Sequence, residues 1–216
     1  MPLRAVVFDL DGTLLDTVQD VGAAAGYAME CLGFEKPDEQ DYPTLINFGI
    51  IRGFTRLAGE ERVKELMDIY VSYYHEHCTE KTRLYPDEME TLSYLCELGL
   101  KLGVLTNKTE MTARKSIDAL LPGVPFDFIW GRDGIRRLKP DPSSVEDICA
   151  FWGFTPQEIA FVGDSPETDI PFSKNAGFYT VASCWGYYPI NEICQSQPDC
   201  MAFGFKQLAD IISKTQ

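Results

Sequence analysis

The stretch Val6-Val7-Phe8-Asp9-Leu10-Asp11-Gly12-Thr13-Leu14-Leu15 decides how this chain is read. It opens as a short apolar run rich in Val and Phe, the composition of a buried strand. It then passes, without a polar linker, into two carboxylates, a glycine and a threonine. A carboxylate avoids an apolar interior unless it is paired or metal-bound, because an uncompensated buried charge is costly. Two acids where a core strand ends therefore point to a site at a strand's C-terminal edge, where open α/β sheets bind ligands. The plainer alternative is that Asp11-Gly12 is only a turn, a frequent use of that pair. On the stretch alone the turn has the edge, so the surrounding chain must decide.

Immediately downstream, Asp16-Thr17 has the character of a helix N-cap, with Asp20 adding negative charge in the first turn. Val21, Ala24, Ala25, Ala28 and Leu32 follow at helical spacing, and Gly33 suits the C-terminal cap. Pro37 to Tyr42 is an acidic turn region, and the residues from Thr44 to Ile51 suggest a short helix broken around Gly49 and Gly53. Glu60 to about Cys78 is strongly amphipathic, with Val63, Leu66, Met67, Tyr70, Val71 and Tyr74 on one face. Residues 16–83 thus read as a helical insertion without a good strand.

From residue 84 the rhythm becomes an alternation. Helices are expected over Met89–Leu98, Met111–Leu121, Ser143–Trp152, Ile170–Ala176 and Phe205–Ser213. Between them lie apolar strands at Leu100–Leu105, Phe126–Trp130, Ile159–Val162 and Tyr179–Ala182, with an edge strand at Met201–Phe203. Units of this length imply a doubly wound α/β fold, a parallel sheet with helices on both faces. The domain division that follows is 1–15 with 84–216 as the core and 16–83 as the insertion.

Composition narrows the function. With 33 Asp and Glu against 19 Lys and Arg, the net charge is −14. A field of that sign repels phosphate backbones, so no nucleic acid is expected as partner. An anionic substrate would need a local cation, either a metal or a placed Lys or Arg. The 7 cysteines are odd in number and none sits at C-x-x-C spacing, which fits reduced thiols rather than a disulfide framework. There is no basic-then-apolar leader and no apolar run long enough for a bilayer, so the expectation is a cytoplasmic protein with no membrane partner.

Three strands end in polar residues that a buried strand would not normally carry: Asp9 and Asp11, then Thr106 and Asn107, then Asp164. The C-terminal ends of parallel strands share one edge, so these groups can converge. Lys139 lies between them in sequence, in a loop shortened by Pro140 and Pro142. Clustered carboxylates repel each other and call for a hard cation with oxygen ligands, best matched by Mg2+. A metal, a lysine and a hydroxyl together form a socket for phosphate. With no Cys–His or Ser–His pairing evident, an aspartate is the available nucleophile, and the second aspartate can manage the proton.

In this order, Asp9-Leu10-Asp11-Gly12-Thr13, Thr106, Lys139-Pro140 and Gly163-Asp164-Ser165-Pro166-Glu167-Thr168-Asp169 resemble the four motifs of the haloacid dehalogenase (HAD) superfamily. The resemblance covers nearly the whole chain. It implies a HAD-like Rossmannoid core, with residues 16–83 as a small helical cap domain. It also implies that Asp9 is the nucleophile and Asp11 the general acid/base. Thr106 and Lys139 would bind the phosphoryl group, Lys139 also restraining Asp9. Mg2+ would sit on the Asp9 carboxylate, the Asp11 main-chain carbonyl and the Asp164 carboxylate. Asp169 would orient Lys139 or a metal-bound water, and Thr13 and Ser165 would support their motifs.

Branches of the superfamily separate on residue chemistry. Dehalogenases lack the second acid, which Asp11 supplies here. Phosphonate-cleaving members place a lysine in the first cap helix, and here no lysine precedes Lys36. β-Phosphoglucomutases usually carry a histidine soon after the first motif, and Val18-Gln19-Asp20 has none. The layout most resembles phosphoglycolate phosphatases, which implies a Mg2+-dependent phosphatase of a small phosphorylated metabolite, acting as monomer or homodimer. Pyrophosphate, nucleoside monophosphates and sugar phosphates stand behind phosphoglycolate as substrates. A phosphoryl-transfer mutase and a silent phosphate-binding protein are the remaining alternatives. One departure is Asp87, where these phosphatases usually have glycine after the proline.

In the insertion, Arg52 between Gly49 and Gly53 could take a substrate carboxylate, which Arg binds bidentately, or be a solvated surface charge. Asn107 and Lys108 follow Thr106 closely enough to line the pocket, Lys108 being equally readable as a helix-flanking charge. His75 and His77 lie two apart on a helix and face different ways, so they form no metal pair. Trp185-Gly186-Tyr187-Tyr188 suits packing better than a pocket rim.

Overall fold

The structure, a computed structural model, describes residues 2–47 and 49–215. In chain order its elements are β1 (Ala5–Phe8), β2 (Leu15–Asp16), α1 (Val18–Cys31), α2 (Tyr42–Asn47), α3 (Ile50–Ala58), α4 (Val63–His77), β3 (Arg83–Leu84) and α5 (Glu88–Glu97). There follow β4 (Lys101–Thr109), α6 (Glu110–Leu120), β5 (Phe126–Arg132), α7 (Ser144–Trp152), β6 (Ile159–Gly163), α8 (Asp169–Ala176), β7 (Tyr179–Ser183), α9 (Ile190–Gln195), β8 (Cys200–Ala202) and α10 (Phe205–Ser213). The chain forms two units, one of residues up to Leu15 together with those from Leu84 onward, the other Asp16–Arg83. It passes between them through the two-residue strands β2 and β3, which pair with each other.

The first unit is a doubly wound α/β sheet. Six strands run in the order β5-β4-β1-β6-β7-β8, every pair parallel. Alternate residues of β1 serve opposite faces, as the two-residue period of a strand requires. Val6 and Phe8 join Leu102, Val104 and the helices α5 and α10, through Leu92, Leu95, Phe205 and Leu208. Ala5 and Val7 join Phe161 and, from α7 and α8, Ile148 and Phe172. A strand buried on both faces has no room for alternating polar residues, which is why β1 reads as an unbroken apolar run.

The strand order also makes the site. From β1 the chain builds outward to β4 and β5, then returns to the other side of β1 for β6, β7 and β8. That reversal is a topological switch point, the place where open α/β sheets bind ligands. Phe8 is level with Val104 on one side and with Val162 on the other. The residues that follow these three partners therefore run toward one edge of the sheet.

The second unit is helical. An alanine face of α1 (Ala24, Ala25, Ala28) packs with Leu66, Tyr70 and Tyr74 of α4. At Gly22 a Cβ would enter the Tyr42 ring, so glycine there sets the close approach of α1 and α2. Asp20, expected only as a first-turn charge, is buried, and its carboxylate accepts the Lys81 and Thr82 N–H groups and the Thr82 hydroxyl at 2.7–3.0 Å. It ties the end of this unit to its first helix. Thr17 holds the N-cap position with no side-chain capping bond.

Some local expectations change. The helix expected over 44–51 is divided into α2, ending at Asn47, and α3, starting at Ile50; Phe48 lies outside the described residues. Gly49, at φ 77°, makes the break, whereas Gly53 sits inside α3, where a Cβ would press on Leu45. Helix α9 was not expected, and β4 continues to Thr109 rather than stopping at Leu105. Among the described residues, no helix is long and apolar enough to cross a membrane.

Candidate active site

Asp9 is the first residue past β1, and its N–H donates to the Val162 carbonyl at 2.8 Å, so the β6 ladder fixes its backbone. Its Oδ1 accepts from Lys139 Nζ at 2.6 Å, and the same ammonium lies 2.7 Å from Asp169 Oδ1. Asp9, Lys139, Asp164 and Asp169 are all buried. Burial pushes the Asp9 carboxyl up to about 7, with Asp169 adding to the rise and Lys139 opposing it. Asp164 is raised well above the usual carboxylate range, first by burial and then by Asp169 and Asp9. At Lys139, burial disfavours the ammonium, but Asp169 and Asp9 outweigh it and hold the group above its ordinary value.

The loop after Asp9 is a compact turn. The N–H groups of Thr13, Leu14 and Leu15 all point to the Leu10 carbonyl, and Gly12 N–H donates to Leu15 O at 2.9 Å. Gly12 has φ 79°, and a Cβ there would also meet the Asp164 carboxylate. A Cβ at Gly186 would meet the same carboxylate, and the Tyr187 N–H donates to Asp164 Oδ2 at 3.1 Å. The Thr13 hydroxyl is buried against Ser183 Oγ at 3.2 Å, and Trp185 Nε1 donates to the Thr13 carbonyl at 2.9 Å. The contribution of Gly186-Tyr187 was missed in the sequence; a glycine three residues past the end of β7 was the available signal.

The end of β4 supplies the rest. Thr106 is buried, and its hydroxyl accepts the Lys108 N–H at 3.2 Å. Asn107, expected to bind substrate, grips the main chain of Lys139. Its Nδ2 donates to the Lys139 carbonyl at 3.0 Å, and its Oδ1 accepts the Lys139 N–H at 2.8 Å. Both polar atoms of the amide are thereby engaged in placing the lysine, in the loop that carries the cis peptide Lys139-Pro140. Lys108 is ion-paired with the Asp11 carboxylate. In the fourth motif, Ser165 donates its N–H to Asp169 Oδ2 at 3.0 Å and accepts the Glu167 and Thr168 N–H groups on its hydroxyl.

One edge of the α/β unit therefore carries Asp9, Asp11, Thr13, Thr106, Asn107, Lys139, Asp164, Ser165 and Asp169. Arg52 is not among them: it is exposed on α3, in the helical unit. Carboxylate oxygens of Asp9, Asp164 and Asp169 lie within 4.8 Å of one another. Three buried carboxylates facing one ammonium leave negative charge uncompensated, which is the chemistry of a site for a hard divalent cation. Asp169 is the least available of the three, since Lys139 takes one oxygen and the Ser165 N–H the other.

The comparisons with known proteins agree with this geometry. Residues 6–183 match the family model of haloacid dehalogenase-like hydrolases. The chain belongs to this family of hydrolases. It is 31% identical to the phosphoglycolate phosphatase of Aquifex aeolicus (strain VF5) over 189 residues, 88% of each chain. Among solved structures it is similar to a candidate phosphoglycolate phosphatase of Lactobacillus delbrueckii subsp. bulgaricus, with TM-score 0.89 and 25% identity, covering 98% of this chain and 99% of that one. A predicted phosphoglycolate phosphatase of Haemophilus somnus 129pt gives TM-score 0.85 and 30% identity, covering 99% and 98%.

Proposed function

We propose that this HAD-family hydrolase is a Mg2+-dependent phosphatase of a small phosphorylated metabolite, acting through an aspartyl-phosphate on Asp9. The observation that carries the reading is the buried Asp9 carboxylate, held at 2.6 Å by Lys139 with Asp164 and Asp169 beside it. Asp9 and Asp164 would hold the Mg2+ by their carboxylates and Asp11 by its main-chain carbonyl. When bound, the ion offsets the charge of the phosphoryl oxygens, so that an anionic nucleophile and an anionic ester can meet.

The chain's own residues do the following. An Asp9 carboxylate oxygen attacks phosphorus, the ester P–O bond breaks, and Asp11 gives its proton to the departing oxygen. Water then attacks the phosphorus of the aspartyl-phosphate, Asp11 takes the proton, and phosphate leaves with Asp9 restored. Lys139 keeps the Asp9 carboxylate aimed and, with the Thr106 hydroxyl, binds the phosphoryl oxygens. Asn107, through the Lys139 main chain, fixes where that ammonium reaches. The helical unit serves as a cap that excludes water during transfer.

The names of the relatives make phosphoglycolate the first substrate to test, ahead of pyrophosphate, nucleoside monophosphates and sugar phosphates. Arg52 is the group we assign to its carboxylate. Seven free thiols suit a reducing cytoplasm as the working compartment. Phosphate release across such a panel, compared by kcat/KM with and without Mg2+, tests the reading. Turnover should vanish on chelation and fall roughly 10,000-fold or more in Asp9→Asn; turnover that persists without divalent metal refutes it. Arg52→Ala should raise KM for phosphoglycolate and leave an ester without a carboxylate unaffected.

A further inference from the structure

Lys108 has no part in the reaction as written above, yet it is placed where such a part would be needed. Its side chain is only 5% exposed, and its ammonium is ion-paired with the Asp11 carboxylate. A lysine is rarely buried unless paired, because ordering its long side chain and desolvating its charge both cost free energy. Its backbone is anchored as well, through the N–H it donates to Thr106 Oγ1 at 3.2 Å. The residue before it, Asn107, holds Lys139 by the main chain at 2.8 and 3.0 Å. Two consecutive residues at the end of β4 thus grip two different partners of the nucleophile.

Asp11 is the group that most needs such a grip. It leaves the strand on the turn at Gly12, and its side chain is 22% exposed against 10% for Asp9. A carboxylate on a turn, part-open to water, has more orientations than one packed between a strand ladder and a buried lysine. Proton transfer demands hydrogen-bond reach to the leaving oxygen, and a misplacement of about 1 Å can cost on the order of 100-fold in rate.

We propose that Lys108 is a positioning residue for Asp11: its ammonium holds one oxygen of the Asp11 carboxyl group, so that the other, which carries the proton, faces the oxygen that must be protonated. The inference rests on the reading of Asp11 as the general acid/base. Lys108 touches Asp11 and acts through it; the phosphoryl group remains with Lys139 and Thr106.

The test uses the full-length chain with saturating Mg2+ and three phosphate monoesters of increasingly poor leaving group: 4-nitrophenyl, phenyl and a simple alkyl phosphate. Wild type, Lys108→Met, Asp11→Asn and the double variant are compared, with thermal melts to confirm folding. Good leaving groups need little protonation and poor ones need much. Lys108→Met should therefore lose roughly 10- to 100-fold in kcat on the alkyl phosphate and a much smaller factor on the 4-nitrophenyl ester, with KM little changed. The double variant should be no slower than Asp11→Asn alone, because the lysine has nothing left to aim. Lys108→Arg, which keeps the cation and folds if burial of the charge is tolerated, should recover part of the leaving-group dependence.

An equal loss on all three esters, a raised KM at unchanged kcat, or additive losses in the double variant would each overturn the assignment. A wild type with no Mg2+-dependent turnover would instead overturn the underlying reading, and this inference with it. The two failures are read from different proteins and cannot be confused.

Discussion

The two units bury their acids differently. In the helical unit, Asp20 is the buried carboxylate among the described residues, and it is answered by hydrogen bonds from Lys81 and Thr82. In the α/β unit, Asp9 and Asp169 share one ammonium, that of Lys139, with Asp164 beside them, and Asp9 and Asp164 are pushed up by burial first and then by neighbouring carboxylates. An acid whose hydrogen bonds are met by its own unit holds structure together. Acids left with surplus charge have the chemistry of a group that could hold a cation. That contrast locates the chemistry more firmly than burial alone, since all four groups are equally hidden.

Lys139→Met attacks the contrast at its strongest point. It strips the shared cation from two buried carboxylates and should destabilise the protein by about 3–5 kcal/mol, read from denaturant midpoints. Added Mg2+ should recover part of that loss. A neutral result would mean that the three acids do not need the lysine. Asp20→Ala attacks the other side: removing a charged acceptor from several donors should cost about 3 kcal/mol. Phosphatase kinetics of the molecules still folded should change far less than in Lys139→Met. Loss of chemistry out of proportion to stability would break the comparison.

Glu88 is a third kind of buried acid, with no cation beside it. Its Oε2 accepts the Tyr85 N–H at 3.0 Å, its Oε1 is buried without a hydrogen-bond partner, and burial pushes its carboxyl up to about 8. The folded state therefore prefers the protonated form. This favourable contribution is complete below the unfolded value of 4.5 and is lost as pH rises through about 8. Glu88→Gln keeps an acceptor and removes the titration. Relative to wild type it should be nearly neutral at low pH and more stable by about 2 kcal/mol in mildly alkaline solution. A flat difference across that range would show that Glu88 is ionised in the fold.

The smallest effect concerns Asp87, the departure noted in the sequence. It adopts φ 62° and ψ 11°, the left-handed conformation in which glycine is at ease. Its ion pair with Lys206 at 2.9 Å is surface-exposed and returns little. Asp87→Gly should stabilise the fold by roughly 0.5 kcal/mol. A loss in thermal melts would mean that the Lys206 contact matters more than the backbone.

Much of this was legible in the sequence because the site residues lie next to strand ends, and parallel strands put those ends on one edge. Asp9, Thr106 and Asp164 could be placed together from periodicity alone. The turn at Asp11-Gly12, the bland alternative for that pair, is real and lifts the second acid away from the strand. What could not be read was direction: the Asn107 amide turned to the Lys139 main chain, and Lys108 turned to Asp11 rather than to solvent. Side-chain aim depends on neighbours distant in sequence, and no spacing records it. Gly53 misled for a similar reason, since a glycine needed for a neighbour's side chain looks like one needed for a break.

The central claim is that surplus charge around Asp9 serves a covalent step on that residue. Acid-quenched samples taken during turnover of a good substrate with Mg2+, digested and weighed by mass spectrometry, test it directly. The account predicts one phosphoryl group on the peptide carrying Asp9, chased away on dilution and absent from Asp9→Asn. Rapid turnover with no phosphorylated peptide, or a phosphoryl group that persists in Asp9→Asn, would contradict it.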